Sequence, residues 1–157
     1  MVFALKNFLQ RKFNVLNANL KYKYLKDIIM TTLHAHHEEL IKGVSDQFKE
    51  ILSQSEQSIY IYLDDEHWAC NQKFLSLVGY KSLGELQKSN KESFLDLLVD
   101  EKSQRSLVTA YTNAMEKLIG SQASITWKTK TGKRVKTNLI LVPISYQGHR
   151  MALHFIS

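Results

Sequence analysis

The sequence predicts an α+β fold, an antiparallel sheet of five strands with short helices inserted between its second and third strands. Three observations carry that prediction. Residues 1 to about 55 show helical spacing, whereas "SIYIYL" from Ser58 is β-branched and aromatic with strand alternation. "NQKFLSLVGYKSLGEL" holds barely two turns of helix, breaks at Gly79-Tyr80 and restarts at once. The last third reads as three strand-like runs joined by "KTGK" and "YQGH", glycine-containing turns of hairpin length.

Taken in order, the first element is a long helix. From Leu25 the positions Ile28, Ile29, Leu33, His37, Leu40, Val44, Phe48, Ile51 and Leu52 recur at three- and four-residue steps, with one glycine, Gly43, and no proline. The polar run Ser53–Ser58 separates a helical extension, 1–55, from a second unit, 58–157. In that unit "SIYIYL" and "WAC" pair as a hairpin across "DDEH". Asn71 then caps a short helix carrying Phe74, Leu75 and Val78, and Gly79 stands where a left-handed C-cap is wanted. Ser82 and Glu85 have capping-box spacing and restart the chain as a second short helix. Asp100 caps a longer helix with Leu107, Val108, Tyr111, Met115 and Leu118 on one face, closed by Gly120. Strands are expected at Ala123–Lys128, Arg134–Ser145 and His149–Ile156.

Composition narrows the function classes. The 157 residues are 44% hydrophobic and 23% charged, the balance of an ordinary soluble globular chain. One cysteine, Cys70, cannot form an internal disulfide, and no apolar run approaches a secretory leader or a membrane span, which together predict a cytoplasmic protein. The formal charge of +6 is concentrated in residues 1–26, which carry Lys6, Arg11, Lys12, Lys21, Lys23 and Lys26 and no acidic residue. That tail, with Phe3, Leu5, Phe8, Leu9, Phe13 and Leu16, suits an amphipathic helix folded on its own domain or on its twin, with peripheral membrane or partner contact as the alternative. The basic hairpin Lys128, Lys130, Lys133, Arg134 and Lys136 lacks interleaved aromatics and reads as a solvated turn, not a nucleic-acid site. No phosphate loop precedes a helix and no nucleophile motif or carboxylate pair stands out, so no enzyme is predicted. His34, His37 and Glu38 share a helix face, but three ligands from a single helix rarely complete a metal site, and none is predicted.

From about Ser58 to Ser157 the ordered set of pieces resembles a PAS domain. The residues that carry it are the run Asn71, Phe74, Gly79, Tyr80, then Ser82, Glu85, Leu86, the K-x-G-K hairpin, and the turn Pro143, Ile144, Gly148. The resemblance implies a sensory or interaction module, often dimerising through an N-terminal helix, with short helices enclosing a small pocket beside the sheet. Haem-binding relatives carry a ligating histidine on the long helix, and Glu101 to Ile119 has none. Light-sensing flavin relatives carry a cysteine just before that helix, and "SNKESFLDLLVDEKS" has none. The cofactor is therefore left open.

The pocket expected from the resemblance is lined by Leu107, Tyr111 and Met115 on the helix and by Trp127, Asn138, Ile140 and His154 on the strands, unless these side chains simply fill the core. A sheet apolar on both faces needs cover on both. The face away from the short helices is covered by the chain's own N-terminal helix or by a second copy, which favours a homodimer. The expected interface is Leu33, His37, Leu40, Val44, Phe48, Ile51, Tyr60 and Tyr62. The functional expectation is a stand-alone sensor that relays a small-ligand signal through that helix, with self and an output protein as partners. The alternative is a ligand-free scaffold for protein contacts, tethered to a membrane by the basic tail.

Overall fold

The computed structural model describes residues 18–88 and 93–157. The tail residues expected to be amphipathic, Phe3 to Leu16, lie outside the described residues. The chain divides into two compact units, one up to His37 and one from Glu38 to Ser157, so the division falls inside the first helix and not at the polar run.

Helix α1 spans Ala18–Gln47 and α2 spans Lys49–Gln54. The sequence predicts one helix here. Phe48 interrupts it with φ −95° and ψ 13°, yet helical bonding continues from the Phe48 N–H to the Val44 carbonyl and from the Leu52 N–H to the Phe48 carbonyl. The hairpin of β1 (Ser58–Tyr62) and β2 (Trp68–Cys70) comes next, followed by α3 (Gln72–Val78), α4 (Leu83–Lys88), α5 (Phe94–Leu98) and α6 (Glu101–Lys117). The chain closes with β3 (Ser121–Lys128), β4 (Arg134–Tyr146) and β5 (His149–Ile156).

All pairings are antiparallel and the order across the sheet is β2-β1-β5-β4-β3. The register puts Tyr60, His154 and Leu141 in one row on the inner face, toward the short helices. Ile59, Phe155 and Ile140 form a row on the outer face.

Asn71 ties the first short helix to the sheet. Its side-chain oxygen accepts from the Phe74 N–H, the helix cap, and also from the Ile59 N–H of β1, each at 3.0 Å. Its amide donates to the Gln57 carbonyl at 2.8 Å. Gly79 closes α3 at φ +82°, a conformation side chains resist. Ser82 accepts from the Glu85 N–H, and Glu85 reaches back to the Lys81 N–H, so the expected capping box forms one residue displaced. The break in "LVGYKSL" is thus written by two caps. Asp100 caps α6 and also receives the Arg134 guanidinium of β4 at 2.5 Å.

At its far end α6 departs from expectation. It stops at Leu118, held in a left-handed conformation, and not at Gly120. Its buried stripe is Ser103, Leu107, Ala110 and Ala114, while Val108 and Leu118 are exposed. Small residues let this helix lie close over the sheet. The added helix α5 is capped by Ser93, which accepts from the Asp96 N–H.

Two cores result, one on each face of the sheet. The inner core centres on Tyr60, Phe74, Phe94, Trp127, Leu139 and Leu141. The outer core sets Leu40 and Val44, from the last turns of α1, against Ile59, Ile61, Met151 and Leu153. Leu40 is 1% and Val44 0% exposed, and full burial of such side chains is worth about 1.5–3 kcal/mol each. Gly43 lies between them, where a β-carbon would come within 2.2 Å of the Tyr146 hydroxyl, so glycine permits the close approach of helix and β4.

Candidate functional site

Between the inner face of the sheet and α5–α6 lies a cavity of about 90 Å³. The sheet supplies Tyr60 and Tyr62 from β1 and His154 from β5. Phe94 and Leu95 close one side, and Leu107, Val108 and Tyr111 of α6 close the other. The strand alternation is what aims Tyr60, Tyr62 and His154 here, since side chains two apart share a face.

The floor is aromatic. His154 lies flat on Tyr60, with ring centroids 3.9 Å apart and planes 10° from parallel. Phe74, Phe94 and Trp127 surround Tyr60 at 5.0, 5.2 and 5.9 Å. The His154 Nδ1 lies 3.1 Å from the Ala152 carbonyl. Burial holds its pKa down at about 3 against the pull of backbone carbonyls, so the imidazole is neutral at physiological pH. Burial likewise raises the pKa of Tyr60 and of Tyr111. Tyr62 is raised by burial and by its hydroxyl bond to Asp65, at 2.9 Å. Among the described residues, no Asp, Glu, Lys or Arg lines the cavity.

Of the residues expected to line a pocket, Leu107, Tyr111 and His154 meet at this cavity. Met115 packs half-buried against the inner core, and Trp127 is buried within it, its indole donating to the Thr137 hydroxyl at 2.9 Å. Asn138 and Ile140 are exposed and cannot reach the cavity, because on β4 it is Leu139 and Leu141 that face inward. The expected interface residues also separate. Tyr60 and Tyr62 face the inner core and the cavity, and Leu40 and Val44 are buried against the chain's own sheet, so none of these four is free to meet a second copy. Phe48 is half-buried against the same outer core. Leu33 and Ile51 are exposed, and His37 is half-buried. Sequence reasoning missed Phe94, Leu95 and Val108 as lining residues. A signal existed, because Ser93 and Asp96 have the spacing of a cap that starts a helix at Phe94.

Cys70 lies off the cavity, half-buried, with burial pushing its thiol up to about 12. Among the described residues no helix is long and apolar enough to cross a membrane.

The fold recurs in solved structures. A PAS domain from a two-component sensor histidine kinase aligns over 74% of this chain and 97% of its own, at TM-score 0.53 and 10% identity. The PAS domain of an HTR-like protein from Haloarcula marismortui aligns over 78% and 98%, at 0.51 and 13%. That of nitrogen regulation protein NR(II) from Vibrio parahaemolyticus aligns over 68% and 93%, at 0.52 and 16%. The chain has the PAS fold. No family model and no curated protein sequence matches it. At these identities the likeness is one of architecture, so what this chain does has to be argued from its own side chains.

Proposed function

We propose that this PAS-fold chain is a signalling module in which the state of the cavity is reported to helix α1 through strands β1 and β5. One observation carries the reading: the cavity and the helix hold alternate residues of the same two strands. Tyr60, Tyr62 and His154 face the cavity, while Ile59, Ile61 and Leu153 beside them pack on Leu40 and Val44. A molecule that shifts the inner side chains moves the outer ones on the same backbone, and a ligand acts only through such a difference between states. Signal leaves through α1 to a second copy or to an output protein.

Drug-sized ligands occupy sites of about 300–1,000 Å³. A cavity of about 90 Å³ suits a much smaller molecule than haem or a flavin. Xenon enters apolar cavities of this order and serves as a surrogate occupant. In methyl NMR under xenon pressure, Leu107 and Val108 are expected to shift, and Leu40, Val44 and Leu153 on the far face to shift with them. Shifts confined to the lining would refute the relay.

A contact role has its own support. Ile140 is 53% exposed and Val142 36%, on the part of the outer face beside the residues that α1 covers. If self-association uses this face, Ile140→Lys is expected to abolish any concentration-dependent rise in mass.

A further inference from the structure

The geometry points to a compact, uncharged ligand bearing one hydroxyl or carbonyl group as the occupant of the cavity, with the Tyr60 hydroxyl as its hydrogen-bonding partner. This rests on the cavity being a ligand site, as proposed above, and specifies its chemistry.

The lining decides the charge. Every described side chain at the cavity is apolar, phenolic or imidazole, and among them an ionised ligand would lose its water without gaining a counter-charge. Among the described lining residues, the one group able to become a cation, His154, stays neutral because burial depresses its pKa. Asp65, a carboxylate beside the lining, is already engaged by the Tyr62 hydroxyl.

Tyr60 decides the polar group. It is 1% exposed, and its hydroxyl makes no hydrogen bond with any described residue, its contacts being the rings stacked around it. An unpaired buried hydroxyl is costly, about 1–3 kcal/mol, so a polar atom brought to it gains more than one offered to a satisfied group. Phenol hydroxyls both donate and accept, so the ligand's own group is an alcohol or a carbonyl. The volume decides the body. A cavity of about 150 Å³ holds benzene, so about 90 Å³ takes roughly three to five non-hydrogen atoms.

The test uses three molecules with one carbon skeleton: isobutanol, isobutyrate and isobutylammonium. Each is titrated into the full chain while the Leu107 and Val108 methyls are followed by NMR. Isobutanol is expected to give saturable shifts, with both ions at least about tenfold weaker. Tyr60→Phe is expected to melt no lower than wild type, since it removes an unpaired group, and to bind isobutanol about fivefold to tenfold more weakly. An ion that binds as well as isobutanol overturns the assignment of charge, and an unchanged isobutanol affinity in Tyr60→Phe overturns the assignment of the hydroxyl. Isobutanol failing to shift Leu107 overturns the ligand class outright. If xenon still moves Leu107 and Leu40 in that case, the relay survives and only the ligand chemistry is wrong.

Discussion

Acidification should weaken this fold through His154. The ring is 2% exposed, stacked on Tyr60, and its pKa is held at about 3 in place of the usual 6.5. The titratable groups that line the cavity with it, among the described residues, are Tyr60 and Tyr62 on β1 and Tyr111 on α6, none of which offers a negative charge in the acid range. Protonation is therefore easier in the unfolded chain. Stability is full above about pH 6.5, declines as pH falls because the unfolded state binds the extra proton, and levels off below about pH 3. Each unit of separation is worth about 1.36 kcal/mol, so at pH 5 the loss from this ring is about 2 kcal/mol. Glu56, Glu85 and Asp100 are all lowered by their lysine or arginine partners, so they remain ionised at pH 5. The assay is urea unfolding followed by the fluorescence of Trp68 and Trp127, at pH 7.5 and pH 5.0, for wild type and His154→Phe. Phenylalanine keeps a flat ring against Tyr60 and cannot titrate. Wild type is expected to lose about 2 kcal/mol more than the variant between the two pH values. Equal losses would refute the claim that burial keeps this imidazole neutral.

Three further outcomes are expected. Leu40→Ala should cost about 3 kcal/mol in urea unfolding, the usual range for a fully buried leucine, and a change below about 1 kcal/mol would mean that α1 is not docked on the sheet. Asn71→Ala should cost about 2–4 kcal/mol, because the Phe74 and Ile59 N–H groups lose their acceptor together; Asn71→Asp, which keeps the acceptor, should fall between it and wild type in thermal melting. Cys70, with its thiol pushed up to about 12, should react with a disulfide reagent at pH 8 at least about a hundredfold more slowly in the native chain than in urea.

The elements that local chemistry dictates were legible in the sequence. The alternation of "SIYIYL", the cap at Asn71 and the glycine at Gly79 each specify their structure within a few residues, and the hairpin turn at Gln147–Gly148 does the same for β4 and β5. Sidedness along β4 was harder to read. "LILV", Leu139 to Val142, is apolar at every position, so nothing local distinguishes Leu139 and Leu141, which face inward, from Ile140 and Val142, which do not. Packing against the helices settles it, with Leu139 and Leu141 drawn into the inner core, and that is a tertiary fact no pattern along β4 encodes. The destination of Tyr60 was missed for a related reason. A strand pattern gives two faces but not which one meets the helices, and here the bulky aromatic face is the inner one. At α6 the apolar residues Val108 and Leu118 misled, because close approach to the sheet selected alanines for the buried stripe.

The way the sheet is threaded bears on the order in which the molecule can assemble. The surface that receives Leu40 and Val44 is made by β1 and β5, whose strands neighbour one another in space but stand at opposite ends of the domain. Met151 lies 111 positions after Leu40 in the chain. Closing so long a loop is entropically costly and slow, and contacts of this separation form late. During synthesis the apolar stripe of the first helix emerges long before the strand that completes its seat. The helix is thereby a reporter of completion: it can settle only on a sheet whose last strand has been laid down, and a chain halted before β5 would leave that stripe bare for chaperones to find.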